Sequence, residues 1–130
     1  MLEQLVYISR VSPAVTRMDV QRILWVSQIR NRRLDVTGML ALIDSHFVQV
    51  LEGRSEALTE LMQRIGQDPR HEQLRVLVHE PIDRRRFASW SMGLVDRHQW
   101  TREAEQLCQT GRVEGQSMDE LIGRLFAEEP

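Results

Sequence analysis

Alternating and periodic apolar positions divide the chain into short segments. Leu5 to Ser9 (LVYIS) is β-branched and aromatic ahead of Ser12-Pro13, and predicts a strand. Thr16 and Asp19 have the spacing of a capping box with aspartate at its third position. They open a predicted helix with Val20, Ile23 and Leu24 on one face, fading at Asn31 to Arg33. Val36 to Ile43 is an apolar run too short for a helix, Asp44-Ser45 is a turn, and His46 to Leu51 alternates again, so a hairpin is expected. After Glu52-Gly53, Ser55 is expected to cap a second helix carrying the stripe Ala57, Leu58, Leu61, Met62 and Ile65. Asp68-Pro69 ends it, because a residue before proline avoids the helical region. Leu74 to Val78 and Ser91 to Val95 predict two further strands. Thr101 to Gln109 and Ser117 to Glu128 predict two short helices separated by Gly111 and Gly115. Ser117 and Glu120 form a capping box for the last helix, whose stripe is Met118, Leu121, Ile122 and Leu125.

The order βαββαβ plus one strand predicts an α+β ferredoxin-like sandwich, with a mixed, mostly antiparallel sheet and two helices on one face. Residues 1–96 form this unit and residues 97–130 a C-terminal helical extension. If Tyr7 and Gln49 face the two helices, alternation turns Val6, Ile8, Val48 and Val50 to the opposite face. Each buried aliphatic is worth roughly 1.5–3 kcal/mol, so that face needs a cover: the C-terminal helices, another subunit, or both.

Composition narrows the chemistry. A chain of 130 residues with one cysteine, Cys108, fits a single domain without a disulfide framework. The net charge of −2 argues against nucleic acid as the main partner, and no apolar run approaches membrane-spanning length. His46, His71, His79 and His98 lack metal-ligand spacing. All 17 basic residues are arginine, so neither a Schiff-base lysine nor a phosphate-loop lysine is available. A cytoplasmic protein is the expectation.

Several polar residues fall where core residues belong. The stripe Val20, Leu24, Ser27, Asn31 ends in two polar members; Gln49 lies between Phe47 and Leu51; Tyr7 lies between Leu5 and Ser9; Arg64 and Asp68 follow the second helix's stripe. A buried polar group left unpaired costs on the order of 1–3 kcal/mol. Either these groups pair among themselves or they surround a polar, planar ligand. Taken singly, Tyr7 could be a rim tyrosine, Asn31 a helix end, and Arg64–Asp68 a weak surface pair; glutamine amid an apolar strand is harder to dismiss.

The strings Leu5-Val-Tyr7-Ile-Ser9, Asn31-x₄-Val36-Thr-Gly-Met-Leu40, Phe47-Val-Gln49-Val-Leu-Glu-Gly53, Asp68-Pro-Arg-His71 and Phe87-x-x-Trp90-Ser-Met92 resemble the BLUF family of flavin-binding blue-light sensors. The resemblance covers residues 2–96, with departures at Arg30 (often asparagine), Asp35 (usually glycine) and Ala88 (usually proline). It implies FAD, sometimes FMN, as chromophore. It implies that Tyr7 gives an electron and a proton to the excited flavin, and that Gln49 lies between that phenol and the flavin. Asn31, Arg64 and Asp68 are implied flavin contacts, with Ser27 and His71 as further ones. Trp90 and Met92 match a tryptophan–methionine pair that relays the signal. One residue apart on an expected strand, they should share a face, and a plain core pair is the simpler reading for Met92. Trp25 and Trp100 are read as packing or subunit contacts, and Arg84-Arg85-Arg86 as a solvated turn.

The implied function is a reversible photoreceptor and not an enzyme. Rearranged Tyr7–Gln49–flavin hydrogen bonds give a red-shifted state, passed to a separate effector protein because little chain follows residue 96. The apolar second sheet face and short tail lead to an expected homo-oligomer. The alternative is a non-photoactive flavin-binding or protein-interaction module of the same fold.

Overall fold

The computed structural model describes residues 1–127. Strand β1 (Leu2–Val11) is followed by helix α1 (Arg17–Arg33), the hairpin β2 (Thr37–Ile43) and β3 (His46–Arg54), helix α2 (Ser55–Gln67), and strands β4 (His71–Pro81) and β5 (Gly93–Asp96). A short 3₁₀ turn at His98–Trp100 leads into α3 (Thr101–Thr110) and α4 (Met118–Leu125). The sheet order is β4-β1-β3-β2-β5, antiparallel except for the parallel β2–β5 pair. This is the expected ferredoxin-like sandwich with one added strand.

Local chemistry accounts for most boundaries. The Thr16 side chain accepts from the Asp19 N–H while Asp19 accepts from the Thr16 N–H, so the α1 capping box is complete. Ser117 caps α4 by accepting from the Glu120 N–H. Ser55 does not cap α2. It is the first helical residue, the N-cap is Arg54, and the cap makes no side-chain bond. Strands β1 and β4 run several residues beyond their apolar cores because they pair with each other along nearly their whole lengths.

The sheet separates two cores. On the α1/α2 face, Leu5, Tyr7, Leu40, Phe47 and Leu51 pack against Val20, Ile23, Leu58 and Leu61. On the other, Val6, Ile8, Val48 and Val50 meet Trp100, Leu107, Leu121, Ile122 and Leu125. Helices α3 and α4 therefore cover the second apolar face, and that face no longer calls for a second subunit.

Strand β5 is shorter than expected. Its first residue is Gly93, so Trp90 and Met92 lie in the irregular segment that wraps from β4 around the free end of β2. They do not share a face. Met92 is buried in the α1/α2 core, whereas Trp90 is half-exposed and borders the α4 side. Without a strand, two-residue alternation does not govern their directions. The arginine run is not simply solvated either. The Arg85 side chain is 17% exposed and donates to Thr37, the Glu52 carbonyl and the Asp35 carbonyl, while Arg86 pairs with Asp119 of α4 at 2.6 Å.

Candidate functional site

Tyr7 and Gln49 are direct cross-strand partners in the β1–β3 register, on the face covered by α1 and α2. The Tyr7 hydroxyl donates to Gln49 Oε1, and Gln49 Nε2 points to Met92 Sδ at 3.4 Å. Both side chains are almost fully enclosed. Burial, with a smaller contribution from the Asp68 charge, pushes the Tyr7 phenol well above its ordinary range. The phenol is thus firmly protonated in the resting protein, and its proton sits on a bond aimed at Gln49.

Over this pair lies a cavity of about 190 Å³ bounded by α1, α2 and the sheet. Tyr7, Ser27, Gln49, Arg64, Asp68 and His71 all line it, so six of the seven expected ligand residues converge there. The seventh, Asn31, is not among the lining residues: it is buried, with Nδ2 donating to the Ser91 carbonyl at 2.8 Å. Ile23, Val26, Leu40 and Ile65 supply apolar wall. A larger cavity of about 1060 Å³ lies between β5, Trp90 and α4, but it contains none of these polar groups. Chemistry, not size, selects the smaller one.

Arg70 and Arg30 also line the site; Arg30 is the departure from asparagine noted in the sequence, whereas Arg70, inside the Asp68-Pro-Arg-His71 string, had no role assigned to it. Arg70 grips Asp68 with three side-chain bonds and its own backbone N–H, so the expected Arg64–Asp68 alternative is not the pair that forms. The Arg70 contact holds the Asp68 carboxyl below its usual range against the opposing effect of burial. Arg30 shares one face of α1 with Ile23, Val26 and Ser27, which line the cavity with it. His71 opens β4, where its Nδ1 and Ser9 Oγ are 2.8 Å apart and its ring packs on Phe47 and Tyr7. Burial lowers its pKa.

Apolar walls from both helices, with amide, hydroxyl and charged groups at the edges, suit a flat heteroaromatic ring that has polar atoms around its rim. The family model described as "Sensors of blue-light using FAD" matches residues 2–93. The chain belongs to the BLUF family. FAD is the chromophore of BLUF domains, and blue-light sensing is their function. The solved dark-state structure of the BLUF protein BlrB is 38% identical, has a TM-score of 0.78, and matches over 92% of this chain and 91% of that one. Among curated BLUF relatives, the photoactivated adenylate cyclase subunit beta of Euglena longa is 36% identical over 92 residues, which is 70% of this chain and 11% of the cyclase. The blue light- and temperature-regulated antirepressor BluF of Escherichia coli (strain K12) is 34% identical over 96 residues, 74% of this chain and 24% of the antirepressor. This chain thus spans only a minor part of those two proteins.

Proposed function

We propose that this BLUF chain senses blue light through the Tyr7–Gln49 pair, and that the buried Tyr7–Gln49–Met92 contact series carries that reading. The residues fit a flavin. The cavity is smaller than the roughly 300–1,000 Å³ of sites that enclose a whole drug-sized ligand, so the ring system is the part that enters. Ser27, Gln49, Asn31, Arg64, Asp68 and His71 would hold its edges. When bound and excited by blue light, flavin supplies a strong oxidant.

Tyr7 is the oxidisable residue, and its proton departs along the bond to Gln49. Gln49 carries an acceptor and donors on one amide, so rotation or tautomerisation exchanges which group faces the phenol and which faces the ring and Met92. These alternatives form a bistable hydrogen-bond element. A stronger hydrogen bond to the ring carbonyl lowers the excitation energy, and the resting arrangement returns in darkness with no net reaction. The chain is on this reading a sensor and not an enzyme.

Residues 1–96 act as the photosensor, and 97–130 as an extension whose described residues, up to 127, pack on the sheet. Trp90 and Met92, on opposite sides of one segment, relay the change outward. The recipient on this reading is a separate cytoplasmic effector protein. A homo-oligomer is retained as a proposal, now supported by the outer face of α1, where Met18, Trp25 and Ile29 are exposed.

Absorption spectra before and after blue light test the function. A bound flavin whose band moves slightly red and returns in the dark is expected. A bound flavin with an unmoved band favours the non-photoactive alternative.

A further inference from the structure

The segment joining β4 to β5 crosses from one face of the sheet to the other, and each stage of the crossing is held. At its start, the fully buried Glu52 carboxylate accepts from the Arg86 N–H at 2.6 Å, the Phe87 N–H at 3.0 Å and the Thr37 hydroxyl at 2.9 Å. A buried carboxylate is tolerated only when hydrogen-bonded in this way. At the far end three successive carbonyls are each taken: Trp90 by the Gly38 N–H at 3.0 Å, Ser91 by Asn31 Nδ2 at 2.8 Å, and Met92 by Gln28 Nε2 at 3.1 Å. The Met92 side chain then ends against the Gln49 amide.

We infer that Glu52 and Gln28 are positioning residues for the light response: they fix the strap 86–92 at its two ends and thereby set Met92 on Gln49. Neither touches Tyr7 or Gln49 by any hydrogen bond described above. Glu52 lies on the α3/α4 side, across the sheet from the Tyr7–Gln49 cavity, because it shares the face of Val50. Its influence therefore runs through the backbone it holds. Gln28 acts from α1, whose neighbouring residues Ser27 and Arg30 line that cavity, so a shift of α1 reaches the Met92 carbonyl directly. The inference rests on the photosensor reading for its light-dependent part, since it specifies what holds Met92 in place during the cycle.

The test uses the full-length flavin-loaded chain with ¹³C-methyl methionine, with the Met92 signal assigned by its loss in Met92→Leu. Glu52→Gln replaces an acceptor with a donor facing the Arg86 N–H, and Gln28→Leu removes the grip on the Met92 carbonyl. The dark-state Met92 methyl resonance is expected to move in both variants. Dark recovery after blue light is expected to change by about threefold or more in each, and to lose that sensitivity in a Met92→Ala background. An unmoved methyl signal in both, or an equal change in recovery with Met92 absent, overturns the inference. If Glu52→Gln does not fold, Gln28→Leu on the half-buried surface of α1 decides alone by the same criteria. A wild-type protein that binds flavin without a light-induced shift contradicts the photosensor reading, and the dark methyl measurement still decides the positioning role.

Discussion

Tyr7 and Gln49 sit directly opposite one another on neighbouring antiparallel strands, joined from phenol hydroxyl to amide oxygen. Their approach is set by sheet register and not by a loop. A one-residue slip of β3 would turn Gln49 to the α3/α4 side and bring Val48 or Val50 opposite Tyr7. The apolar neighbours that fix the register, Phe47 and Leu51 on one face and Val48 and Val50 on the other, therefore also fix the photochemical pair.

Gln49→Asn shortens the side chain by one methylene and withdraws its amide from both Tyr7 and Met92. The Tyr7 hydroxyl is left buried without its acceptor, at a cost of about 1–3 kcal/mol. Flavin should still bind, because the apolar walls are untouched, while the light-induced red shift disappears. Chemical denaturation and a light-minus-dark spectrum on one preparation check both parts. A retained shift would mean that the glutamine's reach is not required.

Met92→Ala removes a fully buried side chain from the core and from the Gln49 amide. A destabilisation of about 2–5 kcal/mol is expected from the lost burial and the residual cavity. Trp90→Ala, at a half-exposed position, should cost much less stability. Paired thermal melts compare them. Equal losses would contradict the separation of these two residues onto opposite sides of the strap.

Much of this was legible in the sequence, for identifiable reasons. Period-two alternation placed Tyr7 and Gln49 on one face, and helical periodicity brought Ser27, Arg64 and Asp68 toward them. Asp35, read from the sequence as a departure from an expected glycine, takes a positive φ of 55°, a backbone region that favours glycine. What stayed hidden depended on tertiary contacts with no periodic signature. The strap between β4 and β5 is irregular, so nothing local revealed that Trp90 and Met92 diverge. Arg70 is sequence-adjacent to the recognised Asp68-Pro69, yet its bond to Asp68 reflects the turn geometry there. Glu52 reads as a hairpin end and is instead a buried acceptor for backbone thirty-odd residues away.

Acid should weaken the fold through its histidines. Burial holds both His71 and His46 below the ordinary value of 6.5. For His71 the nearby Arg70 charge adds to this and Asp68 opposes it. Both are neutral when folded and take up protons more readily once unfolded, so the unfolded chain binds more protons in that interval. Their contribution is complete above pH 6.5 and is lost as the pH falls through their folded values. Neither ring nitrogen of the buried His46 meets a hydrogen-bond partner among the described residues. His46→Leu should therefore flatten the fall in melting temperature between neutral pH and pH 5. An unchanged slope would assign the acid sensitivity elsewhere.

Gly38 admits no side chain: a Cβ there would lie 2.0 Å from the Val50 carbonyl oxygen. Its N–H simultaneously holds the Trp90 carbonyl of the strap. Gly38→Ala must spread β2 from β3, costing about 1–3 kcal/mol by overpacking and loosening the strap. Amide exchange at Gly38 and Gly93 should quicken more than exchange in the β1–β4 pair. Uniform quickening across the sheet would argue against a local effect.

The most direct test of the central claim is a light-minus-dark absorption series on the wild type, Tyr7→Phe and Gln49→Ala, each loaded with FAD to the same occupancy. The wild type should show a small red shift that reverses in darkness, and neither variant should show it. A wild-type-sized, reversible shift in Tyr7→Phe would contradict the account, because that protein has no phenolic proton to pass to Gln49.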